Sequence, residues 1–166
     1  MGTKVIFQTP LTDVNIWAAN QTQAKDQLGS IRYENNSIYK YVAFTGTTTV
    51  NIGDTVCYVA FATDGLQVEV DGANTAFAAG IAMSKVISGT IATSASYYAT
   101  AWIQIRGIAN TSTQPTGSPA LGYPLTTSGG SAPNLGGLST TASTLATQQQ
   151  CAWYYGTKTV ICNFPF

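Results

Sequence analysis

Residues 88–109, "SGTIATSASYYATAWIQIRGIA", hold three aromatic residues, one charge, and no side chain suited to act as an acid, a base or a metal ligand. The stretch reads as strand, turn, strand. In its second half Ala101, Ile103 and Ile105 point one way, and Trp102, Gln104 and Arg106 point the other, because successive side chains of a strand alternate between faces. Strands this apolar need covering on at least one side, so the chain is expected to build a β core. The neighbouring sequence gives the same period. "GSIRYENNSIYKYVAF" reads as a hairpin turning at Asn35-Asn36, since Asn tolerates the positive φ that a type I′ turn requires. That register sets Ile31 opposite Lys40, Tyr33 opposite Ile38 and Arg32 opposite Tyr39, the last a candidate cation–π pair. "NIGD" is a turn leading into "TVCYVAFAT", apolar on both faces and therefore a central strand. "TDG" and "VDG" bracket a short strand at residues 66–70.

The chain of 166 residues suffices for one domain with a sizeable core. Seven acidic and seven basic residues make only 8% of it charged, against about 25% in ordinary soluble domains. From Gly107 to Phe166 the only charged side chain is Lys158. Such a surface is expected to be covered by partners, rich in Ser, Thr, Asn and Gln, or both. Four segments follow: an N-terminal arm with short strands over 1–28, a β core domain over 29–110, an uncharged arm over 111–150, and a β-hairpin over 151–166. The third segment has fifteen Ser or Thr, six Gly and four Pro, the composition of a linker. Its apolar residues Leu121, Tyr123, Leu125, Leu135, Leu138 and Leu145 are too few to fix it alone, so its expected restraint is a neighbouring subunit.

The functional groups exclude more than they suggest. Without His there is no Ser-His or Cys-His nucleophile pair, and a His-free zinc site would need four Cys where the chain has three. Glu69 and Asp71 in "VEVDG" share a strand face near Asp64, but read best as a solvated face ending in a turn. No catalytic, cofactor-binding or metal-binding residue is therefore assigned, and no enzyme activity is expected. Seven scattered basic residues form no basic patch for nucleic acid. The longest apolar run, "VCYVAFA", is too short to span a membrane. "MGTKVIFQTP" lacks the apolar stretch of a signal peptide, so the chain is expected in a cytoplasm unless exported within a larger object.

Cys57 lies in an apolar run and reads as a small core residue. In "CAWYYGTKTVIC" a type II′ turn at Gly156-Thr157 would pair Tyr155 with Lys158, Trp153 with Val160, and Cys151 with Cys162. Directly opposed strand residues have Cα atoms about 4.5 to 5.5 Å apart, within disulfide reach, so Cys151 and Cys162 are a candidate disulfide pair; two reduced thiols are the alternative. The aromatics Tyr97, Tyr98, Trp102, Trp153, Tyr154 and Tyr155 fit a sugar-stacking platform, a core, or interface anchors. Trp102 is assigned to an interface because it shares its face with Gln104 and Arg106. The candidate interface residues are Trp17, Trp102, Arg106, Tyr123, Trp153 and Tyr155.

The order of these motifs resembles the capsid decoration, or cement, proteins of tailed bacteriophages. "QLGSIRYENNSIYKYVAFTG", "NIGDTVCYV" and "AAGIAMSKVISGTIATSASYYATAWIQIRGIA" follow that family's succession of a Leu-Gly strand start, a "YKYV" strand, a Gly-Asp turn, an apolar strand, a "GIA" strand and a closing aromatic strand. The closing motif is Tyr97, Tyr98, Trp102, Ile103, Gln104, Ile105 and Gly107. The resemblance spans about residues 27–110 and leaves both arms without a counterpart. It implies a small β-barrel or β-sandwich; together with the arms read from composition, the expected fold is all-β, a small β-barrel or β-sandwich with extended N- and C-terminal arms. It also implies a protein of the outer capsid surface that staples neighbouring major capsid subunits, often as a homotrimer, with no cofactor. A tail or head-fibre base and a carbohydrate-binding module are the alternatives.

Overall fold

A computed structural model describes residues 9–18, 25–45, 48–59, 66–70, 77–86, 97–117, 119–127, 135–137 and 150–164, the side chains at 16–18, 97 and 98 excepted. The described residues contain no helix, and the fold is all-β with a closed five-stranded barrel. The Asn35-Asn36 turn forms as the sequence requires. Both asparagines take positive φ, +50° and +61°, and join β2 (Ile31–Glu34) to β3 (Ser37–Phe44) in the expected register, with Ile31 opposite Lys40, Arg32 opposite Tyr39 and Tyr33 opposite Ile38.

The barrel runs β3, β5 (Gln67–Glu69), β4 (Thr55–Tyr58), β6 (Ala78–Ala82), β7 (Tyr97–Asn110), and closes because β7 also pairs with β3. Every pairing in the ring is antiparallel except β3 with β5. Closure removes the free edges that a short sheet would otherwise expose. Strand β4 is interior to the sheet, as its two apolar faces demand. Inside lie Val42 and Phe44 from β3, Val56, Ile81, and Ala101, Ile103 and Ile105 from β7, all buried. Lys40 also lies buried on this side; its Nζ donates to the Tyr58 hydroxyl at 2.9 Å and sits 4.9 Å from that ring's centre.

Strand β7 is 14 residues long and outgrows the barrel. At Gly107, φ is +96°. The Gln104 side chain holds this bend: its Nε2 lies 3.1 Å from the Arg106 carbonyl, 2.9 Å from the Ile108 carbonyl and 3.1 Å from the Ser37 hydroxyl. Beyond the bend, β7 leads an antiparallel extension of the same sheet outside the barrel, the second sheet. It continues through β11 (Thr159–Asn163), β10 (Ala152–Gly156), β8 (Pro124–Thr127) and β9 (Leu135–Gly137). The inner face of this sheet, including Ala109, Leu125, Leu135, Ala152, Val160 and Cys162, joins the barrel core in one apolar cluster.

The described part of the uncharged arm belongs to this sheet. Within 111–150, β8 and β9 are strands of the chain's own sheet. Leu125 and Leu135 are fully buried, and Thr116 bridges Gly136 along the far edge of β9. Two leucines suffice because the sheet's backbone hydrogen bonds share the work of fixing them. Leu121 is exposed and Tyr123 half-buried; Leu138 and Leu145 lie outside the described residues, as do Ser88–Ser96 of the opening stretch.

The N-terminal arm is pinned to the barrel's outer side. Strand β1 (Asn15–Ala18) pairs with the start of β7. The amide of Thr9 donates to the buried Asp26 carboxylate at 2.9 Å. Leu11 and Leu28 pack with Met83 over a second cluster, Tyr39, Tyr41 and Trp102.

Candidate functional site, an open face of the second sheet

The two faces of β7 meet different fates along its length. The face bearing Ala101, Ile103 and Ile105 is core throughout. The opposite face is covered at Trp102 and Gln104 and open at Arg106, Ile108 and Asn110. Trp102 is covered by the N-terminal arm, and Gln104 is held against Ser37 and the carbonyls of its own strand.

Trp102 is therefore not an interface residue. It is completely buried, its Nε1 donates to the Thr9 carbonyl at 3.0 Å, and its ring lies 5.0 Å from that of Tyr41. The Tyr41 hydroxyl lies 2.7 Å from the Thr100 hydroxyl, which donates on to the Asn15 carbonyl at 3.4 Å. The Arg32 guanidinium, expected over Tyr39, instead sits 5.9 Å from the Trp102 ring centre and pairs with Glu34. Trp102 offers the larger and more electron-rich ring face.

Beyond the arm the open face carries a row of apolar side chains. Register places Ile108 opposite Ile161 and Ile161 opposite Trp153, with Pro124 next in line on β8. Directly opposed side chains on one face stand about 4.5–5.5 Å apart, so the row is continuous. Ile108 is 58% exposed and Ile161 37%; Trp153 is half-buried. Arg106, opposite Asn163, flanks the row on one side along the strands, and the β10–β11 turn with Lys158 lies beyond its other side.

Of the expected interface residues, Arg106 and Trp153 thus share this face, and Tyr155, 55% exposed, follows at the bulge between Tyr154 and Gly156. Tyr123 packs against the core beside Gly137. The backbone of Trp17 lies opposite Tyr98 in the β1–β7 pair, while its side chain falls outside the described part. Ile108 and Ile161 were missed. The signal for Ile161 was the run "VIC", apolar at three successive strand positions and thus apolar on both faces. Burial of Trp102 and Tyr154 removes two rings from any sugar-stacking platform. Among the described residues no three Cys, Asp or Glu side chains group as metal ligands; Asp64 and Asp71 lie outside them.

The β10–β11 hairpin departs from its expected register by one residue. Ala152, not Cys151, stands opposite Cys162, and Trp153 opposite Ile161. The turn is Thr157-Lys158, with Lys158 at φ +57°, and the bulge at Tyr155 absorbs the extra residue. Cys151 and Cys162 are therefore not directly opposed, and all three cysteines are buried thiols outside any disulfide. The Cys151 Sγ instead lies 3.5 Å from the Leu125 carbonyl. Burial pushes the Cys151 thiol from its ordinary 9.0 up to about 12, with Cys57 adding to the effect. Burial raises Cys162 further, and Cys151 adds to that.

A thiol whose folded pKa exceeds its unfolded value keeps its proton longer in the native state. Its stabilising effect is whole below pH 9 and is lost as pH climbs from 9 towards 12. Stability against urea is expected to fall across that window, and iodoacetamide at pH 8 to leave the native chain unmodified while labelling three sites in the unfolded chain. Rapid native labelling, or a flat stability profile between pH 8 and 11, would contradict the burial of these thiols.

No family model matches the chain, and no curated protein or solved structure matches it.

Proposed function

We propose that this protein is a structural virion component that binds the outer surface of a bacteriophage capsid and stabilises contacts between major capsid subunits. The observation that carries the reading is the open apolar row Ile108–Ile161–Trp153. It lies on a sheet built from a C-terminal region with a single charge beyond Arg106. Exposed apolar rows on rigid sheets mark protein-contact surfaces, and Trp and Arg are enriched in such surfaces while Lys and Glu are depleted. The order of the strand motifs over residues 27–110 supports the same reading. Within it, "WIQIRG" has a structural role: Trp102 anchors the N-terminal arm, and Gln104 and Gly107 shape the bend that carries the second sheet clear of the barrel.

The oligomer in this reading is a homotrimer, the partner is the major capsid protein, and neither nucleic acid nor membrane takes part. The test is addition of the purified protein to capsid shells that lack it. Saturable binding is expected, at a copy number comparable with that of the shell subunits, together with a higher temperature of shell disruption. Binding in only a few copies would move the protein to a tail or vertex, and no binding would end the capsid reading. Light scattering on the free protein is expected to give three times the 17.4 kDa chain mass.

A further inference from the structure

We infer that the open face of the second sheet docks a protein surface made of an apolar strip flanked by carboxylates; that this surface belongs to the capsid rests on the function proposed above. The inference comes from how charge is distributed along the chain. All seven acidic residues lie between Asp13 and Asp71. From Gly72 to Phe166 the only charged side chains are Lys85, Arg106 and Lys158. Two of these three belong to the second sheet, on opposite sides of the apolar row: Arg106 opposite Asn163, and Lys158 in the β10–β11 turn.

The face thus has an apolar band with a cation on either side of it and no acid anywhere on its strands. A second copy apposed face to face would bring cations towards cations with no carboxylate on either side. Like-charge juxtaposition of that kind disfavours a contact, whereas opposite charges around an apolar centre fix its register. Nucleic acid is a poor occupant for a different reason. Two cations separated by a band of isoleucine and tryptophan do not make the basic patch that phosphates require. A partner with Leu- or Val-type side chains between Asp or Glu residues complements both features at once.

The experiment compares the native chain with Ile161→Glu and Ile161→Lys on shells stripped of this protein. Ile161 is part-exposed, so both variants are expected to keep the native unfolding midpoint. Both lose apolar contact, but only Glu adds charge of the partner's sign. Ile161→Glu is expected to weaken binding roughly tenfold more than Ile161→Lys, and added salt to narrow the gap. Native binding by both variants, or greater damage from Lys, would overturn the inference. Should the native chain not bind shells, the capsid reading falls by itself. The face is then judged by a photo-crosslinking residue at position 161 in cells making the protein, with position 77 as control. Capture at 161 alone, through a segment that mass spectrometry reads as apolar and flanked by Asp or Glu, supports the docking surface. Capture of a second copy, of a segment without carboxylates, or of nothing overturns it.

Discussion

Gly107→Ala is expected to destabilise the protein by roughly 2–4 kcal/mol, read as a lower urea midpoint with an unchanged slope. Two effects add. The backbone there sits at φ +96°, which a residue with a Cβ adopts only under strain. An added Cβ would also lie 2.5 Å from the Ser37 hydroxyl and 2.9 Å from the Asn36 carbonyl. The β2–β3 hairpin would have to move, and with it the Gln104 contacts that hold the bend. Gly122→Ala separates the two effects, because Gly122 has φ +76° but open space around it. It should cost about 1 kcal/mol, from backbone strain alone. Equal costs for the two variants would show that β7 does not depend on this close approach.

The second large effect is at Trp102. Trp102→Ala empties a site at the centre of the arm–barrel contact and is expected to cost about 3–5 kcal/mol. It also removes the closer of two donors to the Thr9 carbonyl, leaving the Arg32 Nη1 at 3.5 Å. Hydrogen exchange should rise at described residues of the arm, Thr9–Asp13 and Asp26–Leu28, while the amides of β10 and β11 stay protected. Trp102→Phe keeps most of the ring and loses only the donor, so about 1–2 kcal/mol is expected. Unchanged exchange in the arm of Trp102→Ala would mean that something other than this ring holds it down.

The local features were legible in the sequence. The Asn35-Asn36 turn fixed the β2–β3 register because positive φ at two successive positions leaves few residue choices. Alternation in "ATAWIQIRG" assigned the faces of β7 correctly. What alternation cannot say is whether a face is covered. The cover over Trp102 comes from Thr9 and Leu11, about ninety positions earlier, and nothing within β7 encodes them. The hairpin register slipped for a related reason. A glycine favours positive φ but does not compel it, and here Lys158 takes that conformation while Gly156 pairs with Thr159. Strands β8 and β9 were unreadable because Ser, Thr and Gly carry no period, and their place is set by one leucine each. The candidate site was half legible: its aromatic and charged members stood out, and its isoleucines passed as core.

The length of β7 and its position late in the chain also bear on how the molecule is made. The barrel closes through β3–β7, the arm docks on β7, and the second sheet starts from β7. During synthesis β1, β3 and β6 lack their pairing with β7 until it emerges, and the hydrogen bond from Trp102 to Thr9 joins residues 93 positions apart. Folds dominated by such distant pairings form slowly, typically in milliseconds to seconds. An emerging chain therefore holds the apolar strands β3, β4 and β6 unsealed until β7 leaves the ribosome, and β7 acts as the keystone that converts a set of waiting strands into a fold.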